Sequence, residues 1–235
     1  DAPIFTGNAA EGTTTLFEYL AAHPQIGFTS LKEIHFFTLD DLFRRGEEYL
    51  HYFLPTLPEG GLYAGADTYA MTTHKAAARI AHYNMAMKLV FMLRHPVERA
   101  LSGSRYAVYM GYLQQPKDWH PVLDQEEEVL AGKDVVSINN LCNAYQGLYN
   151  NHLMQWLKYF SREQMLLLTT RALNRAPNQV LAQLSSFLGI APFTALEEEK
   201  RANAARSVRN KWLQQLLLNR NTPLRKLMRQ AIPGP

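Results

Sequence analysis

The stretch between Gly7 and Gly12 constrains this chain more than any other. Pro3-Ile4-Phe5 is a short apolar run, and Leu16-Phe17-x-x-Leu20 opens a helical pattern. Between them stands Gly7-Asn8-Ala9-Ala10-Glu11-Gly12-Thr13-Thr14-Thr15, so a strand, a glycine-bracketed turn and a helix start follow in that order. Glycines let a backbone approach an anion closely, and the free N–H groups of a helix start point at it. The glycines stand five apart, the spacing of a phosphate-cradling loop, yet the loop holds no lysine.

Beyond that turn, strand-like and helix-like patterns alternate, which predicts an α/β fold with a central, mainly parallel sheet flanked by helices. Strands are expected at residues 2–6, 26–28, 62–66, 88–94 and 165–168. The clearest is Lys88-Leu89-Val90-Phe91-Met92-Leu93-Arg94, a continuous apolar run with a charge at each end. Helices are expected at 13–22, in parts of 39–53, at 73–84, and from Pro96 to about Met110. A long one is expected over 140–159, with Leu141, Tyr145, Leu148, His152, Trp156 and Tyr159 near one stripe. Another at 177–188 stops at Gly189, and the tail 208–235 reads as amphipathic helix.

With 235 residues, 47% of them hydrophobic, the chain can bury the core of one domain spanning 1–235. Residue 1 lies almost on the first strand, as in a module of a longer protein. A net charge of +3 makes no case for a nucleic-acid surface, although local basic clusters suit a phosphorylated small molecule. Cys142 is the only cysteine, so no intrachain disulfide forms and a reducing compartment, the cytoplasm, is expected. No apolar run approaches the ~20 residues of a membrane span, and no signal peptide is visible. His51, His74, His82 and His152 have no metal-ligand spacing, so no metal is expected.

Four motifs in order carry a resemblance. Gly7-x-x-Ala10-x-Gly12-Thr13-Thr14 precedes His23-Pro24-Gln25-Ile26; Lys32-Glu33-Ile34-His35-Phe36-Phe37 follows; then Arg94-His95-Pro96-Val97-Glu98-Arg99-Ala100-Leu101-Ser102; and late in the chain Phe187-Leu188-Gly189. Over roughly residues 3–190 the chain resembles the sulfotransferases that use 3′-phosphoadenosine 5′-phosphosulfate (PAPS). The resemblance implies a P-loop-like three-layer fold and transfer of a sulfuryl group from PAPS to a hydroxyl, with PAP as product. It also implies that Gly7, Ala10, Glu11, Gly12, Thr13, Thr14 and Thr15 hold the 5′-phosphosulfate, and that Arg94 and Ser102 hold the 3′-phosphate. Arg206 or Arg201 would join from the segment after Gly189. The acceptor stays open among a carbohydrate, a small hydroxylated metabolite and a carrier-bound acyl chain, and so does the oligomeric state.

The acceptor hydroxyl must lose its proton as it attacks. Glu33 is the first choice of base and His35 the second; two apart, they share a face of an extended segment. Phe36 and Phe37 are expected to supply the apolar surroundings that tune the carboxylate upward. Ala10 departs from the resembled pattern, which has a lysine there, and Ala66 departs where an acid follows glycine, with Asp67 as its stand-in. Lys32, Lys75 and Lys88 are candidate replacements for the lost charge, Lys32 foremost. A binding-only adenylate module is the alternative. A P-loop nucleotide kinase is a further one, but it lacks both the loop lysine, Thr13 standing in its place, and a magnesium-holding Asp after Leu93. Tyr112, Trp119 and His120 lie on a segment long enough to fold over a site. Arg99 is expected to be structural, on a carboxylate or carbonyl. Glu126-Glu127-Glu128 and Glu197-Glu198-Glu199 read as solvated helix starts.

Overall fold

The short apolar runs form one parallel sheet in the computed structural model, which describes residues 4–7, 13–31, 33–57, 59–113, 120–132 and 134–193. In chain order the strands are β1 (Ile4–Gly7), β2 (Ile26–Phe28), β3 (Leu62–Ala66), β4 (Lys88–Leu93) and β5 (Met165–Thr169). They lie side by side as β2-β3-β1-β4-β5. Each neighbouring pair is parallel, with Gly7 level with Phe91 and Thr6 level with Ala66. From β1 the chain crosses to the edge strand β2, comes back to β3 beside β1, then passes to the other side of β1 for β4 and β5. The carboxyl ends of β1 and β4 therefore flank the point where the winding reverses, which is where ligands of open α/β sheets collect.

The helices are α1 (Thr13–Ala21), α2 (Asp40–Phe43), α3 (Glu47–His51), α4 (His74–Tyr83), α5 (Pro96–Tyr109), α6 (His120–Gly132), α7 (Val135–Leu141), α8 (Tyr149–Trp156), α9 (Thr170–Arg175) and α10 (Pro177–Leu188). Successive strand residues point to opposite faces, so β4 feeds two cores. Val90 and Met92 pack with Leu16 and Leu20 of α1 and Leu181 and Leu184 of α10. Leu89 and Phe91 pack with Ala77 and Ile80 of α4 and Trp156 of α8. That makes three layers, helices over each face of the sheet.

Helix ends follow local chemistry. Pro96 opens α5 at a position where a missing N–H costs nothing. Gly189 closes α10 in the left-handed region, with φ 75°, which glycine adopts without a Cβ clash. Lys88 Nζ donates to the last carbonyls of α10, Phe187 O at 2.7 Å and Leu188 O at 3.1 Å.

The long helix expected over 140–159 is not there. α7 ends at Leu141, Cys142 leaves the helical region at ψ 72°, a short 3-10 turn covers Tyr145–Gly147, and α8 begins at Tyr149. The cause is a carboxylate. Glu126 of α6 is buried, and its oxygens accept the N–H groups of Ala144 at 2.9 Å and Tyr145 at 3.1 Å, which a continuous helix would have bonded to its own preceding turn. Glu126 is thus no solvated helix start. The expected stripe splits accordingly: His152 and Trp156 are buried, but Leu148 and Tyr159 are exposed. Arg99, fully buried, donates to Gln146 Oε1 at 3.0 Å and to the Asn143 carbonyl, as a structural role requires. Cys142 is buried beside this network; burial, and then the nearby Glu126, push its thiol up to about 12.

Candidate functional site

His35 stands between two carboxylates. Its Nδ1–H donates to Asp67 Oδ1 at 2.9 Å, and its Nε2 lies 3.6 Å from Glu33 Oε2. Asp67 follows β3 at its carboxyl end and is almost wholly buried, so its charge needs several donors. It has three: His35, the Tyr69 N–H at 2.9 Å, and the Thr38 hydroxyl at 2.9 Å. Thr68 Oγ1 donates to Glu33 Oε2 at 3.1 Å. The Tyr69 ring stacks on the imidazole with centroids 4.3 Å apart, and Asn140 Nδ2 lies 3.5 Å from its hydroxyl. His35 is the one residue other than glycine with positive φ among the described residues, at 55°, a conformation that persists where surrounding contacts impose it.

Burial opposes a charge on His35, but the Asp67 hydrogen bond and the charges of Asp67 and Glu33 outweigh it, so the imidazole pKa is raised from 6.5. Burial likewise raises the Tyr69 phenol. The expected meeting of Glu33 and His35 is found, although His35 reaches it through a left-handed turn rather than a plain extended segment. Phe36 and Phe37 do not surround Glu33 as expected. They turn into the core with Ile34 and Leu50, and the contacts of Glu33 are polar, so its side chain remains a third exposed.

On the side where the resemblance places the donor, Gly7 ends β1, Thr13 and Thr14 open α1, and Thr15 is half-buried on its first turn. Ala10, Glu11 and Gly12 lie outside the described residues, as do Lys32, Trp119 and Arg206. Arg94 follows β4 directly, at the winding reversal. Its Nε donates to Glu98 Oε2 at 3.2 Å, and the Tyr149 hydroxyl donates to its carbonyl at 2.9 Å. Ser102 is half-buried on the second turn of α5. The two are thus brought to the same end of the sheet on one helix and its leading loop.

Two replacement lysines are disposed of by geometry. Lys88 starts β4, at the opposite edge of the sheet, and caps α10. Lys75 is tied to Asp40 at 2.8 Å on the exposed start of α4. Thr38, Thr68 and Tyr69 are members of the site that the motifs did not name. Asp67-Thr68-Tyr69 directly follows a strand, however, and the rule that singled out Arg94 applies equally to them. Among the described residues no group of three or more His, Cys, Asp or Glu is arranged to hold a metal ion.

A family model described as the sulfotransferase domain matches residues 11–230. Mouse heparan sulfate glucosamine 3-O-sulfotransferase 5 is 28% identical over 191 residues, 80% of this chain and 53% of that protein. Mouse heparan sulfate glucosamine 3-O-sulfotransferase 3A1 is 29% identical over 188 residues, 80% of this chain and 45% of that protein. The chain therefore spans about half the length of these curated relatives. Among solved structures, a sulfotransferase from Alicyclobacillus acidocaldarius superposes with a TM-score of 0.70 at 25% identity, covering 85% of this chain and 87% of that one. Mouse sulfotransferase SULT7A1 complexed with PAP superposes with a TM-score of 0.50 at 17% identity, covering 100% of this chain and 68% of that one, a likeness of fold. With its 2-3-1-4-5 sheet and with a family model spanning nearly its whole length, the chain belongs to the sulfotransferase family.

Proposed function

We propose that the chain transfers a sulfuryl group from PAPS to a hydroxyl of a carbohydrate acceptor, releasing PAP. The observation that carries this reading is the Glu33–His35–Asp67 cluster at the carboxyl end of β3, beside the winding reversal. The heparan sulfate relatives support a carbohydrate acceptor, and the neighbour complexed with PAP supports the donor. PAPS supplies the sulfuryl group, and the framework fits it. A helix N-terminus after β1 suits one phosphate, and the guanidinium of Arg94 after β4, with the Ser102 hydroxyl, suits another. Gly7, Gly12 and Thr13 to Thr15 are assigned to the 5′ side, with Ala10 and Glu11 between them, and Arg206 to the 3′ side.

In the reaction the acceptor oxygen bonds to sulfur as the sulfur–phosphate oxygen bond breaks, and the acceptor proton passes to Glu33. Glu33 is exposed enough to meet a hydroxyl, and Thr68 orients it. Asp67 holds His35 in the tautomer that turns Nε2 toward Glu33, ready to share that proton. The test is incorporation of labelled sulfate from PAPS into hydroxylated acceptors. Glu33→Gln should lower kcat about 10²–10⁴-fold with the fold unchanged; a variant as active as the parent removes Glu33 from the chemistry.

Ala10 favours a second reading, a relative that binds PAP without transferring sulfate. Calorimetric titration with PAP separates the two: binding with no transfer to any acceptor selects the second, and no binding defeats both. We place the chain in the cytoplasm on its single cysteine, a placement that fractionation of the producing cell tests.

A further inference from the structure

Beside the Glu33–His35–Asp67 cluster lies a groove of about 750 Å³ between the start of α4 and the α6–α7 corner. Thr38, which bonds Asp67, lines it and links it to the cluster; Thr72, which donates to Asn139 at 2.8 Å, lines it too. We propose that this groove binds the acceptor and selects an uncharged, multiply hydroxylated chain, a neutral saccharide, over a polyanion. The proposal rests on the function proposed above and names its substrate class.

Several of the charges along the groove are already committed. Lys75 is held by Asp40 at 2.8 Å, and Arg79 grips the same carboxylate from the next turn of α4. The Lys75 and then the Arg79 hydrogen bonds hold Asp40 down at about 2, so it keeps its negative charge throughout the working range. Asp134 accepts the Ser137 N–H at 2.8 Å and caps α7, and Asp41 adds a third carboxylate to the wall. Against these stand Lys75 and Arg44, with His74 against the Tyr145 hydroxyl at 3.5 Å. A sulfated or uronate-rich chain entering here meets three carboxylates, and since Lys75 is already paired with Asp40, Arg44 is the lining cation left to face it. Like charges brought together in this way reject a partner.

What the groove does offer suits an alcohol. Thr73 occupies the N-cap position of α4 but makes no capping bond, and its buried hydroxyl has no hydrogen-bond partner. A hydroxyl both donates and accepts, so another hydroxyl satisfies it in either sense. Leu39, Val136 and Ile138 on the walls provide apolar surface for the C–H face of a sugar ring.

The test compares two acceptors of equal length with labelled PAPS, a glucose oligosaccharide and an N-sulfated heparan oligosaccharide. The neutral chain should have the higher kcat/KM by at least about tenfold, with a KM insensitive to salt. Thr73→Val should raise its KM about fivefold with little change in kcat, and Thr73→Ser should restore it. Asp41→Lys with Asp134→Lys should improve use of the heparan chain. A preference for the heparan chain with a salt-sensitive KM overturns the proposal, as does an unchanged KM in Thr73→Val. Binding is read separately, by NMR shifts of the Thr73, Val136 and Ile138 methyl groups on adding the glucose oligosaccharide. Shifts without any transfer keep the saccharide groove and remove the proposed reaction. Transfer to heparan without shifts keeps the reaction and removes the saccharide groove.

Discussion

His35 is held in a left-handed backbone conformation with a carboxylate at each ring nitrogen, and both features have measurable consequences. Asp67→Asn removes the buried charge opposite Nδ1, so the His35 pKa, observed by imidazole NMR, should fall below its value in the parent. A histidine whose folded pKa is raised stabilises the fold fully below its unfolded pKa, and that contribution fades as pH rises through the folded value. Asp67→Asn should therefore cost about 1–3 kcal/mol in acid denaturant titrations and less above neutrality. An equal cost at both ends of that range would show that Asp67 acts on Tyr69 and Thr38 alone. A second prediction concerns position 10, where a cation would stabilise charge on the departing oxygen. Ala10→Lys should raise turnover about 10²–10³-fold, and steady-state kinetics with PAPS checks it. Glu33 and His35 were legible in the chain because a motif set them two apart. Thr38 and Thr68 were not, because their roles arise only when the β3 loop folds against the segment carrying His35.

At the scale of elements, the join between α7 and α8 is governed by groups from other helices. Glu126 of α6 ties down Ala144 and Tyr145, Arg99 of α5 ties down the Asn143 carbonyl and Gln146, and Gly103 of α5 lies so close that a Cβ would sit 1.9 Å from Asn143 Oδ1. Glu126→Gln keeps the shape but turns a donor toward one of those N–H groups. It should cost about 1–3 kcal/mol in urea melts and speed hydrogen exchange of the Ala144 and Tyr145 amides. Gly103→Ala should cost about 1–3 kcal/mol by overpacking. If both variants melt like the parent, the join is held by something else. The periodicity of 140–159 predicts one helix because side-chain spacing carries no record of a buried carboxylate arriving from fifteen or more residues away. The helices with ordinary punctuation, Pro96 before α5 and Gly189 after α10, were legible to within a residue or two.

For the molecule as a whole, the alternation of apolar strands and amphipathic helices was enough to read a parallel α/β sheet, whose strand carboxyl ends share one edge. Which lysines reach that edge was not, since Lys88 looks equivalent to any other charge until β4 is laid parallel to its neighbours and its start falls on the far side. Global stability should show a second histidine. Burial lowers the pKa of His152, so the fold keeps that residue neutral and loses stability as pH falls from its ordinary 6.5 toward the lowered value. His152→Gln should flatten the decline of denaturation midpoints below about pH 6.5; a slope identical to the parent's would remove His152 from the acid response. Cys142 has a practical consequence. Its thiol is sealed from solvent and pushed up to about 12, so at neutral pH almost none is the reactive thiolate. Alkylating dyes should pass it by in the folded protein. A cysteine introduced on the groove rim, for example at Val136, would then take a fluorophore alone and report whether a saccharide enters the proposed groove, without any background from the parent chain.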